Sequence, residues 1–315
     1  MRAGRYAGRV GEETLRDIGE FGLIARVTRQ LVANADVVLG PGDDAAVIST
    51  PDGRVVATTD MLVEGRHFRL DWSSPYDVGR KAAAQNLADI VAMGARPTAL
   101  LVALGAPPDF AVAAAEELTH GLADECARAG ASVVGGDVVR HDCLVLGVTA
   151  LGDLEGRPPV TRGGAQVGDV VVLAGRPGWS AAGFALLESG RTGFDALVAA
   201  HRAPHPDYAS GLALARAGAT AMIDTSDGLL ADLGHIAGAS GVGVELTLEM
   251  DAELAHAGKA LGLDPWTWLL NGGEDHVFVA TMPSGYGGGV GYVAAAGGLR
   301  VNGELVDPAG WDHFR

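Results

Sequence analysis

Residues 74–104, SPYDVGRKAAAQNLADIVAMGARPTALLVAL, place the clearest helix pattern of the chain directly before its clearest strand pattern. Ser74 and Pro75 are typical of a helix start, and Gly94 is typical of the residue that follows a helix. The apolar run at 99–104 has the length and composition of a buried strand. A long helix that leads into an apolar strand is typical of a sheet covered by helices.

The alternation continues on both sides of this stretch. Apolar runs that predict further strands lie at 45–49, 54–59, 132–134, 143–150, 170–173, 221–223 and 242–248. A passage rich in proline and glycine, 156–168, separates two such series and indicates a domain boundary. We therefore predict an α/β (α+β) fold of two domains, 19–155 and 156–315, after a flexible arm at 1–18. Each domain is expected to be a mixed sheet covered by helices.

The charge of the chain limits its partners. Its 315 residues include 39 acidic and 23 basic ones, the net charge is −16, and only Lys81 and Lys259 are lysines. This balance argues against nucleic-acid binding, because backbone phosphates need a basic surface. An acidic site can bind a polyphosphate only through cations that lie between the carboxylates and the phosphate oxygens. The alternative is that the acidity only keeps the protein soluble.

Cysteine use and hydropathy predict a cytoplasmic protein that does not bind a membrane. Cys126 and Cys143 form no CxxC pair, so a disulfide framework is not expected. The first ten residues contain arginines but lack the apolar region of a signal peptide. The apolar stretch at 98–108 is interrupted by glycine and proline and falls short of the ~18 residues that a membrane helix needs.

Four short motifs place aspartates beside glycine or at the predicted ends of strands. They are GPGDD at 40–44, TTD at 58–60, GGD at 135–137 and DTSDG at 224–228. A fifth acid, Asp89, lies on the otherwise apolar predicted helix, with Asn86 on the same face. An unpaired carboxylate is costly to bury, so Asp89 needs a cation, a partner or the solvent face.

Each motif taken alone has an ordinary alternative. Adjacent aspartates such as Asp43 and Asp44 are common in turns, the GGD motif can simply end a strand, and Ser226 or Asp227 can be a helix N-cap. Together the motifs provide hard oxygen ligands of the kind that Mg²⁺ prefers, without the cysteines or clustered histidines that suit zinc. The sequence contains no P-loop motif and no kinase glycine-rich loop with its lysine.

Nine segments occur in the order found in thiamine-monophosphate kinases. They are EFGLI at 20–24, GPGDDAAV at 40–47, TTDMLVEGRHF at 58–68, NLADIVAMGARP at 86–97, GGDVVR at 135–140, TRGGAQVGD at 161–169, DTSDGLLADL at 224–233, GGED at 272–275 and GWDHF at 310–314. The chain therefore resembles this kinase family from about residue 19 to its end. The wider superfamily shares the GDD and GGD motifs but not the first and last segments. The resemblance implies a two-domain fold of the aminoimidazole ribonucleotide synthetase type.

The resemblance also implies a set of site residues. It implies that several Mg²⁺ ions are ligated by Asp44, Thr58, Thr59, Asp60, Asp89, Asp137, Asp224 and Asp227. It implies contacts with ATP by Gly136, Asp137, Arg162 and Ser226. It implies a thiamine monophosphate site lined by His67, Glu274 and Trp311. It assigns catalytic roles to Asp44, Asp89, Asp224 and Arg162, and it places Asp43 next to a metal ligand.

The three substrate residues have structural alternatives when they are judged without the resemblance. His67 can be a structural histidine, Glu274 can cap or pair locally, and Trp311 can anchor the C-terminal tail. In the functional interpretation, Trp311 stacks on a pyrimidine or thiazolium ring, where a cation–π contribution is available. Glu274 accepts a hydrogen bond from an aminopyrimidine.

The implied reaction transfers a phosphoryl group from ATP to thiamine monophosphate and gives thiamine diphosphate and ADP. The attacking phosphate oxygen is largely ionised near neutral pH, because its second pKa is ~6, so no strong general base is needed. Catalysis then depends on in-line positioning and on Mg²⁺ that neutralises the repulsion between two phosphates, and we expect direct transfer without a phosphoenzyme. The alternatives are another ATP-dependent enzyme of the superfamily with a different acceptor, and a non-catalytic protein that binds a nucleotide or thiamine phosphate.

The resemblance further implies a homodimer with its active site in the cleft between domains. The N-terminal domains would bind metal and ATP and pair through their sheets, and the C-terminal domain would complete the ATP and substrate site. Three features depart from the family pattern. Pro41 lies inside the GPGDD motif, His276 stands where an aromatic residue is usual, and 281–303 is short and rich in glycine, so a helix of some relatives is not expected there.

Overall fold

The computed structural model describes residues 13–41, 45–295 and 297–308 of the chain. Three residues with predicted places in the site lie outside this part: Asp43, Asp44 and Trp311. Their predicted roles therefore stay predictions. No helix in the described part is both long and apolar enough to cross a membrane.

The described residues form two compact units. Unit 1 comprises the residues up to Ile90 together with Arg96–Glu155. Unit 2 comprises Val91–Ala95 together with the residues from Gly156 onwards.

The residues up to Glu155 contain three long helices and two sheets in the described part. The helices are α1 (Leu15–Val27), α2 (Pro75–Ala92) and α3 (Val112–Ala129). The strands are β1 (Val37–Leu39), β2 (Val47–Ile48), β3 (Val56–Val63), β4 (Arg96–Ala106), β5 (Ser132–Arg140) and β6 (Val145–Asp153). β1 pairs with β2, and the others form a mixed sheet in the order β3-β6-β4-β5, in which β4 and β5 are parallel.

One face of the unit 1 sheet is covered by helices and the other is open. Leu62 and Leu100 are fully buried on the covered face, whereas Met61, Leu101 and Val139 are 60%, 38% and 54% exposed. The difference follows from the alternation of side chains along a strand. We call the second surface the open sheet face, defined by Met61, Leu101 and Val139.

Helices α2 and α3 touch at two glycines. A Cβ atom on Gly79 would lie 2.0 Å from the carbonyl oxygen of Leu118, and one on Gly121 would lie 2.0 Å from that of Tyr76. Both distances are far inside van der Waals contact, so the two helix backbones approach each other as closely as they do only because neither position carries a side chain.

Unit 2 contains one larger sheet with helices around it. Its helices in the described part are α4 (Trp179–Ser189), α5 (Asp195–Arg202), α6 (Tyr208–Arg216), α7 (Leu229–Ser240), α8 (Ala252–Leu261) and α9 (Pro265–Asn271). Its strands are β7 (Val170–Ala174), β8 (Ala221–Asp224), β9 (Gly243–Leu246), β10 (Phe278–Met282), β11 (Gly291–Ala294), β12 (Leu299–Val301) and β13 (Glu304–Val306). The sheet order is β13-β12-β9-β11-β7-β10-β8, and among these neighbours β12 and β9 are parallel.

Two apolar cores stabilise unit 2. In one, Leu233 and Ile236 of α7 pack with sheet residues such as Val244 and Val279. The second cluster contains buried residues of four helices, among them Leu186 of α4, Leu197 of α5, Leu254 of α8 and Leu269 of α9. The helices α4, α5, α8 and α9 thus form a helical layer with its own core.

The predicted architecture of mixed sheets covered by helices is confirmed, and so is the end of α2 before Gly94. Several element boundaries differ from those predicted, and three of the differences concern the start of a helix or the GGD motif. Helix α1 includes a first turn from Leu15, but its backbone is not helical at Gly19, so this turn lies in the predicted arm and the predicted helix follows it. Helix α3 begins at Val112 instead of near Asp109, because the backbone turns there, with Phe110 N donating to Pro107 O at 3.0 Å.

The third difference concerns the GGD motif at 135–137. It lies within β5, whereas the sequence predicted a strand that ends at residue 134. The reason is pairing: Gly136 lies opposite Val102 of β4, and a Cβ atom on Gly136 would be 1.9 Å from the carbonyl oxygen of Val102. Glycine therefore extends the strand here, because it permits the close approach that a side chain would prevent.

Candidate functional site

In unit 1, the side chains of Thr58, Asp60 and Asp89 lie between strand β3 and helix α2. Asp89, on α2, accepts a hydrogen bond from Thr58 Oγ1 at 2.8 Å. Asp60 lies two residues after Thr58 on β3 and therefore on the same face of the strand. Its backbone N–H donates to Asn86 Oδ1 of α2 at 3.0 Å. The Thr58 hydroxyl is thus one partner of the carboxylate that this largely apolar helix carries.

Asn86 is a positioning residue to which we assigned no role from the sequence. It is fully buried, its Oδ1 accepts from Asp60 N, and its Nδ2 donates to Ala82 O at 3.0 Å. Asn86 thereby fixes the position of helix α2 relative to strand β3 at Asp60. Its place three residues before Asp89 on an otherwise apolar helix was the available signal.

Two other predicted ligands of unit 1 lie away from this group. Thr59 points to the opposite face of the sheet, where its Oγ1 donates to the Val148 carbonyl at 2.9 Å. Asp137 and its neighbour Gly136 lie on β5, which forms one edge of the sheet, while β3 forms the other. The unit 1 sheet therefore brings Thr58 and Asp60 together with Asp89, but not with Asp137.

His67 lies in the loop after β3 and has a defined orientation. Its Nδ1 accepts a hydrogen bond from Val63 N at 3.0 Å, so the neutral ring carries its proton on Nε2. Its carbonyl oxygen accepts from Lys81 Nζ at 3.0 Å, and Lys81 is buried. One of the two lysines of the chain is therefore used to hold the backbone of a predicted substrate residue.

In unit 2, the DTSDG motif and the GGED motif form a pair of adjacent loops. Loop 224–228 connects β8 to α7, and loop 272–277 connects α9 to β10. Four hydrogen bonds with backbone N–H donors join them: Thr225 N to Val277 O at 2.9 Å, Val277 N to Thr225 Oγ1 at 3.0 Å, His276 N to Thr225 O at 3.0 Å and Glu274 N to Ser226 O at 2.8 Å. The structure thus brings the predicted ATP residue Ser226 next to the predicted substrate residue Glu274. We call these segments the paired loops.

Asp224 is held by His276 inside the paired loops. His276 Nδ1 and Asp224 Oδ2 are 2.9 Å apart, and the two residues are 5% and 4% exposed. Because a carboxylate only accepts hydrogen bonds, Nδ1 carries the proton in this contact. From the sequence, His276 was noted only as a histidine where the family usually has an aromatic residue, and no partner was predicted for it. The backbone of His276 is left-handed, with φ 52°, and this conformation could not be predicted from the sequence either.

Asp232, in the first turn of α7, caps the N-terminus of that helix. Its Oδ2 accepts from the backbone N–H groups of Asp227 at 3.0 Å and Gly228 at 3.1 Å. The pKa of Asp232 is raised to about 7, mainly by burial and also by the negative charges of Asp224 and Asp227, while the two hydrogen bonds act in the opposite direction. Cap formation at this helix therefore falls to Asp232, which leaves the Asp227 side chain for another role.

Asp275 caps the N-terminus of α4, a helix that is distant from it in the sequence. Its two carboxylate oxygens accept from Gly178 N at 2.5 Å and Ser180 N at 2.7 Å, at the N-terminus of α4. Burial raises the pKa of Asp275 to about 7, although these two hydrogen bonds act in the opposite direction. Sequence reasoning missed this role, because the helix that Asp275 caps lies far away in the chain.

We expect the stability contribution of Asp275 to depend on pH. Its pKa is raised in the folded state above the ordinary value of 3.8, so the folded state binds the proton more tightly between pH 3.8 and about pH 7. The contribution is therefore fully present below pH 3.8 and is lost as the pH rises through 7. Urea unfolding from pH 4 to 8 should show a fall in wild-type stability that is weaker in Asp275→Asn. Parallel curves for the two proteins would contradict the assignment.

Arg162 lies on an exposed short turn at the start of unit 2. Its carbonyl oxygen accepts from Ser240 Oγ at 2.9 Å, and Ser240 Oγ also accepts from Ala165 N at 3.1 Å. The end of α7 thus anchors the turn by its backbone and leaves the guanidinium at the surface. This is compatible with the predicted contact to a nucleotide phosphate.

The potential metal ligands are all oxygens. Within residues 13–41, 45–295 and 297–308 no three His, Cys, Asp or Glu side chains are grouped closely enough to hold a metal ion. In unit 1 the Thr58 and Asp89 side chains are hydrogen-bonded and Asp60 lies on the same strand face as Thr58. In unit 2 the charges of Asp224 and Asp227 both act on Asp232. This donor set fits Mg²⁺, which uses few protein carboxylates and completes its shell with water and phosphate oxygens.

Comparison with family models defines the class of protein. The N-terminal domain of AIR synthase related proteins matches residues 42–154, and the C-terminal domain of the same proteins matches residues 166–300. A structure of the hydrogenase maturation protein HypE in complex with ATP has the same fold at 19% identity, with a TM-score of 0.70 over 84% of this chain and 88% of that one. The chain is thus a two-domain protein of the AIR synthase type.

Closer relatives define the family. The thiamine-monophosphate kinase of Mycobacterium tuberculosis is 50% identical over 96% of this chain and 93% of its own length. The thiamine-monophosphate kinase structure from Stenotrophomonas maltophilia is 31% identical, with a TM-score of 0.81, and covers 92% of this chain and 98% of its own. AaThiL complexed with AMPPCP and TMP is 31% identical, with a TM-score of 0.78, and covers 96% and 100%. The chain belongs to the thiamine-monophosphate kinase family, as its motifs predicted, and is a kinase.

Proposed function

We propose that this protein transfers the terminal phosphoryl group of ATP to thiamine monophosphate and so forms thiamine diphosphate in the cytoplasm. The observation that carries the proposal is the 50% identity, over 96% of the chain, to a thiamine-monophosphate kinase. The paired loops support it, because they hold the predicted ATP residue Ser226 and the predicted substrate residue Glu274 side by side through a backbone hydrogen bond of 2.8 Å.

The direct test is turnover. The purified full-length protein is incubated with Mg-ATP and thiamine monophosphate, and thiamine diphosphate and ADP are quantified by chromatography. We expect equal amounts of both products, and no ADP when thiamine monophosphate is omitted. ADP formation without thiamine diphosphate would indicate a different acceptor. Binding of both ligands without any product would indicate a non-catalytic protein.

Mg²⁺ is the metal that these residues fit. In unit 1 it would be held by Thr58, Asp60 and Asp89, and in unit 2 by Asp224 and Asp227, with Asp44, Thr59 and Asp137 as the further predicted ligands. When bound, the ions supply positive charge that reduces the repulsion between the two phosphates. The chain itself contributes the orientation of the carboxylates, through Asn86 in unit 1 and His276 in unit 2.

Removal of the metal should abolish turnover reversibly. We expect excess EDTA to reduce thiamine diphosphate formation to background and added Mg²⁺ to restore it, because the acidic site otherwise repels the phosphates. Circular dichroism before and after EDTA is the control for loss of fold. Turnover that persists in EDTA, after dialysis against the chelator, would rule out the metal assignment.

We infer that the transfer is direct. The acceptor is a phosphate that is already ionised, and Asp44, Asp89, Asp224 and Arg162 are assigned to metal binding and charge stabilisation. None of them is assigned as a nucleophile. Incubation with ATP labelled at the terminal phosphate, without thiamine monophosphate, should leave the protein unlabelled. A labelled protein that passes its label to thiamine monophosphate would refute direct transfer.

We further propose that the protein is a homodimer that pairs through the open sheet face. Met61, Leu101 and Val139 are 60%, 38% and 54% exposed, and their burial against a second copy would be favourable. Light scattering should give the mass of a dimer for the wild type and of a monomer for Met61→Lys combined with Leu101→Lys. Val167→Lys, at a position in unit 2 that is 62% exposed, is the control that should stay dimeric. A monomeric wild type would refute the proposal.

A further inference from the structure

His201, on α5, is a buried histidine that lies beside two polar side chains and has so far no role in the proposed reaction. Its Nδ1 is 3.2 Å from Ser180 Oγ and 3.7 Å from Glu274 Oε2. Its ring lies against Phe184, with ring centroids 5.4 Å apart, and its side chain is 9% exposed. Packing and the Ser180 hydroxyl therefore hold the imidazole in place while Nδ1 faces the Glu274 carboxylate.

Glu274 itself faces both His201 and solvent. Its side chain is 36% exposed, so a ligand can reach the carboxylate from outside. Its backbone is left-handed, with φ 65°, a conformation that is costly for a residue with a side chain and that persists only where the surroundings impose it. The neighbouring residues impose it here, because Asp275 is bound to α4 and His276 is bound to Asp224.

We propose that His201 is a positioning residue for substrate recognition. The contact of 3.7 Å between Nδ1 and Glu274 Oε2 is longer than a hydrogen bond and acts electrostatically when the imidazole is protonated. It favours the orientation in which the Glu274 carboxylate accepts a hydrogen bond from the amino group of the substrate pyrimidine ring. The inference rests on the proposed function, since it assumes that thiamine monophosphate is the acceptor. A carboxylate that is ordered before binding loses less conformational freedom when the ligand arrives, so the binding of thiamine monophosphate is strengthened. Binding of ATP does not use this carboxylate.

The experiment compares two substitutions of His201 in the full-length protein. His201→Leu keeps an apolar side chain beside Phe184 but removes Nδ1, whereas His201→Asn keeps an amide donor close to the position of Nδ1. We expect His201→Leu to raise the KM for thiamine monophosphate by about 10-fold and the KM for ATP by less than about 2-fold. We expect His201→Asn to remain within about 3-fold of the wild type for both substrates. Calorimetric titration with thiamine monophosphate alone should show the same loss of affinity in His201→Leu.

A double-mutant cycle identifies Glu274 as the group through which His201 acts. In the Glu274→Gln background, His201→Leu should change the KM for thiamine monophosphate by less than about 2-fold, because the carboxylate that it orients is gone. His256→Leu is the control for loss of a histidine–phenylalanine contact, since His256 of α8 lies 5.0 Å from the Phe194 ring, and it should leave both KM values unchanged.

Three results would overturn the inference. They are an equal rise of both KM values in His201→Leu, a full effect of His201→Leu in the Glu274→Gln background, and a defect in His201→Asn as large as that in His201→Leu. The first would indicate a role in packing only. A wild-type protein that forms no thiamine diphosphate would instead refute the proposed function, so the two failures are distinguishable.

Discussion

Asp224→Asn is expected to lower the kcat for thiamine diphosphate formation by about 10²–10³-fold while the protein stays folded. Asp224 ends β8 and is 4% exposed, so its charge sits in a site from which most water is excluded. There the attraction between a carboxylate and a cation is far stronger than in water. Asparagine has the same shape without the charge, so the substitution removes the electrostatic contribution and little else.

The fold should survive this change for a specific reason. The oxygen of the introduced amide can still accept the hydrogen bond from His276 Nδ1, which is 2.9 Å from the Asp224 carboxylate. The pairing of β8 with β10 is unaffected, since it uses the backbone. We therefore expect the melting temperature to stay within about 3 °C of the wild type.

Asp251→Asn is a matched control in the same unit. Asp251 caps α8 by accepting from the backbone N–H groups of Glu253 and Leu254, and it has no predicted role in the site. It should keep wild-type kcat and lose a little stability. The measurements are initial rates at saturating ATP and thiamine monophosphate over a range of Mg²⁺ concentrations. Wild-type turnover in Asp224→Asn would show that Asp224 is not a metal ligand.

Gly79→Ala should destabilise the protein by about 3 kcal/mol or more, the upper range for an added group in a packed interior. The new Cβ atom would lie 2.0 Å from the carbonyl oxygen of Leu118. That atom belongs to the backbone of α3, so relief requires movement of a whole helix. Because Gly121 makes the reciprocal contact with Tyr76, the two helices cannot separate at one glycine and stay in place at the other.

Gly238→Ala, in contrast, should be neutral or stabilising by up to about 1 kcal/mol. Gly238 lies in α7, and a Cβ atom added there would meet no atom within 4 Å. The same chemical change at two helical glycines is therefore expected to have opposite signs. Urea unfolding of both variants and the wild type measures the difference. Equal stability of the two variants would mean that α2 and α3 are packed less closely than the distance of 2.0 Å between the added Cβ atom and Leu118 O indicates.

The sequence predicted those features that depend only on residues within one helix, one strand or one short motif. The stretch at 74–104 predicted α2 and β4 because its capping residues and apolar runs act within one element. The motifs predicted Thr58, Asp60 and Asp89 as candidates, and the structure places these three side chains between β3 and α2. Thr59 and Asp137 show the limit of a motif, since alternation along β3 and the order of the strands put both away from Asp89.

Residues whose partners are distant in sequence were not predictable from the chain alone. Asp275 caps a helix whose first residues are more than 90 positions earlier, and nothing near Asp275 marks it as a cap. His201 meets Ser180 and Glu274 only because α4 and α5 pack on the loop before β10. Left-handed backbone at Glu274 and His276 depends on the same tertiary contacts. In each case the missing information is which elements become neighbours.

The hydrogen bonds between the paired loops have a consequence for building hybrid enzymes. Three of these bonds join backbone to backbone, one uses the Thr225 hydroxyl and one joins the His276 and Asp224 side chains, so the backbone path of each loop depends on that of the other. A graft of either loop from a homologue would meet a host loop with a different backbone path. We expect hybrids that exchange both loops together to fold and work, and hybrids that exchange only one to fail. The two motifs, 44 residues apart at their nearest ends, are a single module for recombination.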